Sequence, residues 1–536
     1  MFNRWIQKHA FITSFCAGVV STLGFAPYGL YFCTLLGVGG LYRLLRQTTH
    51  PFKTGYCFGL GFFGFSLYWV NNALMVDLSR FWWIIPIGLT AIPATLGLFS
   101  GLTGWVFSHL TSRWSGPWTK PLAFSFIWIS VEWLCGHYFF TGFPWCLVGY
   151  TWTDLLPICQ LASLTGIYGL SLFTCLLAGY LSEFFIQREG KFFPHCSLII
   201  VPLVLFGLIF GWGYYRLKCH PTHYHPNVSL RLVQPNIEQS RKWNFDATHE
   251  VFQEHLNLSE TRAIDKPIHL VILPESAISW SPKFLEQDND RRTYMGSYLQ
   301  QGTWMIAGTP RFEPSLAGGD VYNGLLAIGS NGDIEARFNK FHLLPFGEYL
   351  PFRDLFEAVA PGLFHKFTAG ERDFTPGPGP VTLTLGSLPP FSPLICYEAI
   401  FPQQVVHPNK PRPEWLLNIT NDGWFGTSVG PHQHLSIARM RAIEEGLPMA
   451  RVANTGVSAM IDPCGRILER LEIETRGILD VQLPLSLKKK TFYANYGDSI
   501  LLFGFILFSF IILVCNTLWA LGKKQRHFDI VNREVE

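Results

Sequence analysis

Charge is what this chain has least of. Asp, Glu, Lys and Arg make up 15% of its 536 residues, against about 25% in soluble domains, which argues against a wholly water-facing protein. A net charge of +3 is too small to draw a polyanion, so nucleic acid is not an expected partner. The twelve cysteines include no Cys-x-x-Cys pair and no Cys/His spacing suited to zinc, which sets aside redox and zinc motifs; no metal is expected. What the chain has in excess is apolar: 49% hydrophobic residues, including 46 Phe, 18 Trp and 19 Tyr.

The scarce charge divides the chain into three parts. Residues 1–215 are apolar runs with brief polar breaks, 216–497 have ordinary soluble composition, and 498–536 hold one more apolar run and a polar tail. A helix crossing a bilayer needs about 20 apolar residues. Runs near 9–26, 29–46, 55–76, 82–110, 121–140, 161–187, 196–215 and 498–521 meet that requirement, so about eight spans are expected. The fourth is long enough to tilt or break near Pro86 or Pro93. Arg4 and Lys8 ahead of the first run resemble a signal peptide. No Ala-x-Ala pattern follows, and a second run begins after Pro27-Tyr28-Gly29, so a retained helical hairpin is expected.

Arg43, Arg46, Lys53, Arg113, Lys120, Arg188 and Lys191 fall in alternate loops, while the intervening loops hold little beyond Arg80. Basic loops stay in the cytoplasm. Both termini are therefore expected there, with 216–497 on the opposite side of the membrane. Within the fifth run, Glu132 is a costly carboxylate that is either functional or hydrogen-bonded inside the bundle. The uncharged aromatic loop 141–150 suits an interfacial belt.

The soluble part alternates strand-like and helix-like stretches, which points to an α/β layered domain. Strands are expected at 228–234, 269–274, 303–308, 322–328 and 415–420, with a strand pair near 452–461. Helices are expected at 246–264, opened by an Asp246 cap, and at 432–446. The run Pro393-Leu394-Ile395 ends in Cys396, followed by Tyr397 and Glu398, and reads as a buried strand meeting a sharp turn. Most free cysteines are small buried hydrophobes. A thiol at a strand end beside a carboxylate is also a nucleophile with ionisable company. Glu275 closes the apolar stretch Leu273-Pro274, and Lys340 stands among aromatics. A thiol with a reference pKa of about 8.5 needs a base or a cation to activate it, and these two supply both types. An ammonium and the backbone N–H after the cysteine suit a tetrahedral oxyanion.

In these contexts the chain resembles the apolipoprotein N-acyltransferases, membrane members of the nitrilase superfamily. The resemblance is carried by Leu273-Pro-Glu-Ser-Ala277, Asn339-Lys-Phe-His-Leu-Leu-Pro-Phe-Gly-Glu348 and Ile395-Cys-Tyr-Glu398. Gln234-Pro-Asn236, Asn421-Asp-Gly-Trp-Phe-Gly426, the run from Pro431 to Arg441, Ala453 to Ser458, Asp462 to Arg466 and the Gly142-Phe-Pro-Trp145 loop extend it over essentially the whole chain. Gly423 stands where the family pattern suggests Ala, and Cys464 where it suggests an acid.

The resemblance implies a multi-span α-helical membrane protein carrying an inserted nitrilase-like αββα sandwich. It implies Cys396 as nucleophile, Glu275 as general base and Lys340 as oxyanion stabiliser, with Glu348, Tyr397 and Glu398 supporting them. Trp243 then belongs near the substrate entrance, and Trp424 and Phe425 line the site. The implied reaction moves an acyl chain from a phospholipid, expected to be phosphatidylethanolamine, through a cysteine thioester to the amine of a diacylglyceryl-cysteine apolipoprotein. It needs no cofactor, and the implied location is the inner membrane with a periplasmic catalytic domain. A membrane-tethered amidase using the same three residues is the alternative. A transporter fits less well, since its spans carry more paired polar residues or broken helices.

Overall fold

The computed structural model describes residues 9–510 except 77, 113, 115–116, 188–195, 243, 245, 262–266, 279–282, 315–318 and 360–371. Each apolar run forms a helix: Ala10–Thr22, Tyr31–Leu45, Pro51–Ser66, Ile85–Thr111, Thr119–Tyr138, Ala162–Gln187, Ser197–Cys219 and Ser499–Phe510. Three of them, Ile85–Thr111, Ala162–Ile186 and Ser197–Cys219, are long and apolar enough to cross a membrane by length and composition. Eight full spans are thus more than the described helices support by themselves. Ala10–Thr22 and Tyr31–Leu45 fall short of the residues a bilayer core needs.

The third run departs most from expectation. Pro51, pre-set for the first turn of a helix, starts it early, and the α-helix stops at Ser66. A 3₁₀ turn at Tyr68–Asn71 and a short helix at Asn72–Met75 follow, and they line a cavity instead of continuing the span. Ile85–Thr111 passes through Pro93 as one helix. At about 1.5 Å per residue its 27 residues exceed a hydrocarbon core of about 30 Å, which a tilt accommodates. Ala162–Gln187 is interrupted at Gly166, φ 66°, where a Cβ would sit 2.3 Å from the Tyr493 ring.

Glu132 has a structural role here. Its Oε1 accepts the Trp128 indole N–H at 2.8 Å and the Val148 amide at 2.9 Å, pinning the 141–150 loop to its own helix. Glu183 pairs with Arg46 and accepts the Tyr42 hydroxyl at 2.6 Å.

Eleven strands follow among the described residues: β1 Tyr224–Gln234, β2 Leu270–Ile272, β3 Trp304–Glu313, β4 Asp320–Gly329, β5 Ile334–Asn339, β6 Phe391–Ile395, β7 Trp415–Thr420, β8 Met449–Ala453, β9 Ser458–Ile461, β10 Ile467–Leu471 and β11 Gly477–Pro484. They form a six-stranded sheet, β11-β1-β2-β3-β4-β5, and a five-stranded sheet, β10-β9-β8-β7-β6. The neighbours β1-β2-β3 and β6-β7-β8 are parallel, with β6 at one edge of its sheet. Leu230, Ile272, Ile306 and Leu325 of one sheet meet Ile395, Leu417, Ile419 and Val452 of the other in a shared core. Thr248–Ser259 and Asn289–Gly296 cover the outer face of the first sheet, and Gly430–Glu445 covers that of the second. The result is the expected αββα sandwich.

The helix expected from 246 begins at Thr248, and Asp246 does not cap it: no side-chain cap bond forms. It ends at Ser259 because the Thr261 amide goes to the Tyr298 carbonyl instead. The edge strands β5 and β10 and the antiparallel β11 carry more exposed residues and lack a clear apolar run.

One apolar core runs from the helices into the sandwich. Tyr397, Ile400 and Phe401 beside Cys396, and Ile437, Met440 and Ile443 of Gly430–Glu445, pack with Trp145, Ile167 and Leu170. The turn that carries the cysteine therefore rests on the membrane helices.

Candidate active site

β6 ends at Ile395, and Cys396 turns out of the strand at φ +53° to open the 3₁₀ turn Cys396–Ile400. A non-glycine residue remains in that left-handed region only when its surroundings hold it there. Glu398 does much of the holding. Its Oε2 accepts the Ile395 amide at 2.6 Å, and its Oε1 accepts the Phe341 and His342 amides at 2.6 and 3.3 Å. Burial outweighs those amides and Lys340, which lower it, and leaves this carboxyl raised to about 8. Since all three partners are donors, the site is built for the carboxylate. Tyr397 ties the same turn to the membrane region by donating to the Gly142 carbonyl at 2.9 Å. Gly142, φ 97°, has no space for a side chain, since a Cβ there would lie 2.4 Å from the Gly136 carbonyl oxygen and 3.1 Å from the Phe401 ring.

Glu275 follows β2 on a buried turn. Its carboxylate accepts Asn323 Nδ2 at 2.8 Å and the Asn421 amide at 2.9 Å. Lys340 follows β5, with Nζ 2.9 Å from Glu348 Oε2 and 3.6 Å from Glu275 Oε1. Burial alone would lower this ammonium, but Glu348, Glu275 and Cys396 outweigh it and hold the lysine above its ordinary value. Asn323, in β4, spans both carboxylates, since its Nδ2 also reaches Glu348 Oε1 at 2.6 Å.

Two carboxylates thus share one ammonium, leaving a surplus negative charge beside the thiol. Burial and Glu275 raise the Cys396 pKa, and Lys340 only partly offsets them. These surroundings favour the neutral thiol over the thiolate.

The sequence reading missed Asn323, a polar residue in an otherwise apolar strand, which was the available signal. It also missed Lys242, buried with its Nζ donating to the Glu275 carbonyl at 2.9 Å. Burial lowers Lys242 to about 7, against about 10.4 in an unfolded chain. Between those values the unfolded state holds a proton that the native state lacks, so raising the pH favours folding. Thermal unfolding from pH 7 to 9 should therefore show the wild type gaining stability relative to Lys242→Met. Parallel pH curves would refute the assignment.

Cys396, Asp422 and His434 place one ligand-type atom each within 4.8 Å of one another. The donor set does not suit a metal. Both Asp422 oxygens are taken by Thr420, His434 and Arg451, and both imidazole nitrogens face protein oxygens.

Glu275, Asn323, Lys340, Glu348 and Cys396 open together into a cavity of about 440 Å³. Its far wall is apolar and belongs to the helix region: Ile87, Ala91, Ile92 and Leu96, with Trp69 and Phe139. Trp424 and Phe425 also line it, and the Phe425 ring meets Trp69 edge-on at 4.4 Å. Trp243 lies outside the described residues. Gly423 is explained by its neighbour: a Cβ there would sit 2.3 Å from Gln239 Nε2, which donates to Asn421 at 2.7 Å.

The sandwich and its buried Glu, Lys and Cys define the class, carbon–nitrogen hydrolase-like proteins. The Carbon-nitrogen hydrolase family profile matches residues 229–491, and the Apolipoprotein N-acyltransferase N-terminal domain profile matches 17–180. Curated apolipoprotein N-acyltransferases of Rhodopseudomonas palustris and Bradyrhizobium diazoefficiens are each 38% identical to this chain, over 515 and 519 residues, with 92% of both partners covered in each case. The chain belongs to the apolipoprotein N-acyltransferase family. Among solved structures it is similar to an amidase from Nesterenkonia sp., at 19% identity and a TM-score of 0.34, covering 49% of this chain and 93% of that one.

Proposed function

We propose that this chain transfers a fatty acyl chain from a phospholipid to the N-terminal amine of diacylglyceryl-cysteine on apolipoproteins, in ping-pong order. Cys396 Sγ attacks the donor's ester carbonyl, at sn-1 of phosphatidylethanolamine, while Glu275 takes the thiol proton. Lys340 faces the oxyanion of the tetrahedral intermediate. Collapse expels the lysophospholipid alkoxide, which recovers the proton from Glu275 and leaves a thioester. The α-amine then attacks the thioester, Glu275 accepts its proton, and the thiol is restored as the amide forms. Glu348 and Glu398 hold Lys340 and the cysteine turn, Tyr397 braces that turn on the membrane helices, and Trp243, Trp424 and Phe425 contact lipid. Side chains carry every step, so the reading calls for no cofactor.

The observation that carries this reading is the cavity: buried Cys396 opens onto an apolar wall contributed by Ile85–Thr111. A small polar amide needs no such wall, whereas an acyl chain does, and its apolar lining keeps water from the thioester. The alternation of Lys and Arg among the short loops supports a division at 1–215, 216–497 and 498–536, with the inserted domain on the periplasmic face of the inner membrane and both termini cytoplasmic.

The test uses labelled phosphatidylethanolamine and the purified full chain, with a hydroxylamine-labile acyl-enzyme as the expected product; absence of any acyl-enzyme sinks the transferase. Ile92→Trp, which narrows the apolar wall, should slow acylation by a long-chain ester about tenfold or more while sparing a two-carbon ester. Equal effects on both esters would remove the cavity from the account.

A further inference from the structure

The peptide that follows Cys396 is held from behind by a histidine with no part in the scheme above. His434 is fully buried on Gly430–Glu445 and reaches the cavity wall. Its Nε2 lies 3.2 Å from the Cys396 carbonyl oxygen and its Nδ1 2.9 Å from Asp422 Oδ1. The Cys396 carbonyl and the Asp422 carboxylate only accept, so both contacts are hydrogen bonds in the doubly protonated ring, which burial and Arg451 oppose and Asp422 favours. Asp422 is fixed in turn, accepting from Thr420 Oγ1 at 2.8 Å and Arg451 Nη2 at 2.7 Å. Thr420 ends β7 and Arg451 stands in β8, so the imidazole is anchored to the sheet itself. Asn418 Nδ2 also approaches the Cys396 carbonyl, but at 3.5 Å, the outer limit of a hydrogen bond.

A trans peptide is planar, and its C=O and N–H point in opposite directions. Whatever fixes the Cys396 carbonyl therefore fixes the direction of the Tyr397 N–H. That N–H, one residue after the nucleophile, suits the oxyanion that forms when sulfur adds to an acyl carbonyl.

We propose that His434 is a positioning residue for acyl transfer: it grips the Cys396 carbonyl and so aims the Tyr397 N–H at the oxyanion, which it shares with Lys340. The inference rests on Cys396 as the nucleophile. His434 exchanges no proton in the step; the carbonyl π pair moves onto oxygen as the S–C bond forms, and the thiol proton goes to Glu275.

The test compares two amides. In His434→Gln the amide nitrogen can occupy the place of Nε2 and keep the donor; in His434→Asn it reaches only the place of Nδ1. Acylation is measured with phosphatidylethanolamine and with a p-nitrophenyl ester, and alkylation of Cys396 with iodoacetamide, which forms no oxyanion. The Asn variant should acylate about 10²-fold more slowly from both donors and the Gln variant within about fivefold of wild type, with alkylation within about threefold in both. Equal losses in Gln and Asn, or alkylation falling in step with acylation, would overturn the proposal. A wild type that takes the p-nitrophenyl ester but not the phospholipid would instead strike the donor assignment and leave His434 open to the same comparison.

Discussion

Cys396→Ala is expected to abolish the hydroxylamine-labile acyl label from phosphatidylethanolamine and to cut N-acylation by about 10⁵-fold, the scale of deleting a covalent nucleophile. The reason is local. Cys396 is the cavity's one thiol among the described lining residues, and its left-handed backbone puts it where strand and turn meet. Alanine has almost the same bulk and should leave the Glu398 and Tyr397 contacts intact, so the fold should survive. An acyl-enzyme persisting in this variant would move the chemistry to another residue. Thermal unfolding close to that of the wild type would show that the loss is chemical.

Lys340→Met should be the more disruptive change. It removes the only cation that Glu275 and Glu348 face among the described ion pairs, leaving two buried carboxylates bridged by one Asn323 amide. Removing one partner of a buried ion pair costs about 3–5 kcal/mol, because a charge remains without compensation. One carboxylate should then take up a proton and cease to serve as a base. Loss of the oxyanion cation adds to this, so acylation should fall by about 10³-fold or more. The two losses separate experimentally. Lys340→Met with Glu348→Gln restores charge balance and should recover stability but not acylation. Recovery of acylation in the double variant would mean that Lys340 is structural.

Legibility followed the strength of local patterns. The apolar runs located the eight longer apolar helices among the described residues, though not the short ones at Leu78–Phe81 and Leu156–Cys159, because partition into lipid depends on summed side-chain character. Where a run broke, as at Ser66, the pattern failed: Tyr68 to Met75 are apolar enough for lipid but are used to wall a cavity. The buried parallel strands β6, β7 and β8 announced themselves by hydrophobicity. The edge strands β5 and β10 did not, since half-exposed strands have weak signals. Glu275, Lys340 and Cys396 stood out as residue types suited to the chemistry but were joined into one site only through matching motifs, since no spacing rule brings together residues so far apart in the chain. Asn323 and Lys242 carried no motif and went unseen.

By itself the sequence determined which segments prefer lipid, that an α/β domain is inserted among them, and the family to which the chain belongs. These properties depend on composition, periodicity and short matched motifs, all additive along the chain. Tertiary structure alone decided the rest. The two sheets bring the ends of β2, β5 and β6 to one edge, where one lysine is shared by two carboxylates and burial raises the thiol's pKa. The turn after Cys396 packs on membrane helices, so the cysteine opens toward an apolar wall that its own neighbours in sequence do not supply. Burial and charge at such a site are set by what the fold places around it, and no stretch of chain read alone contains them.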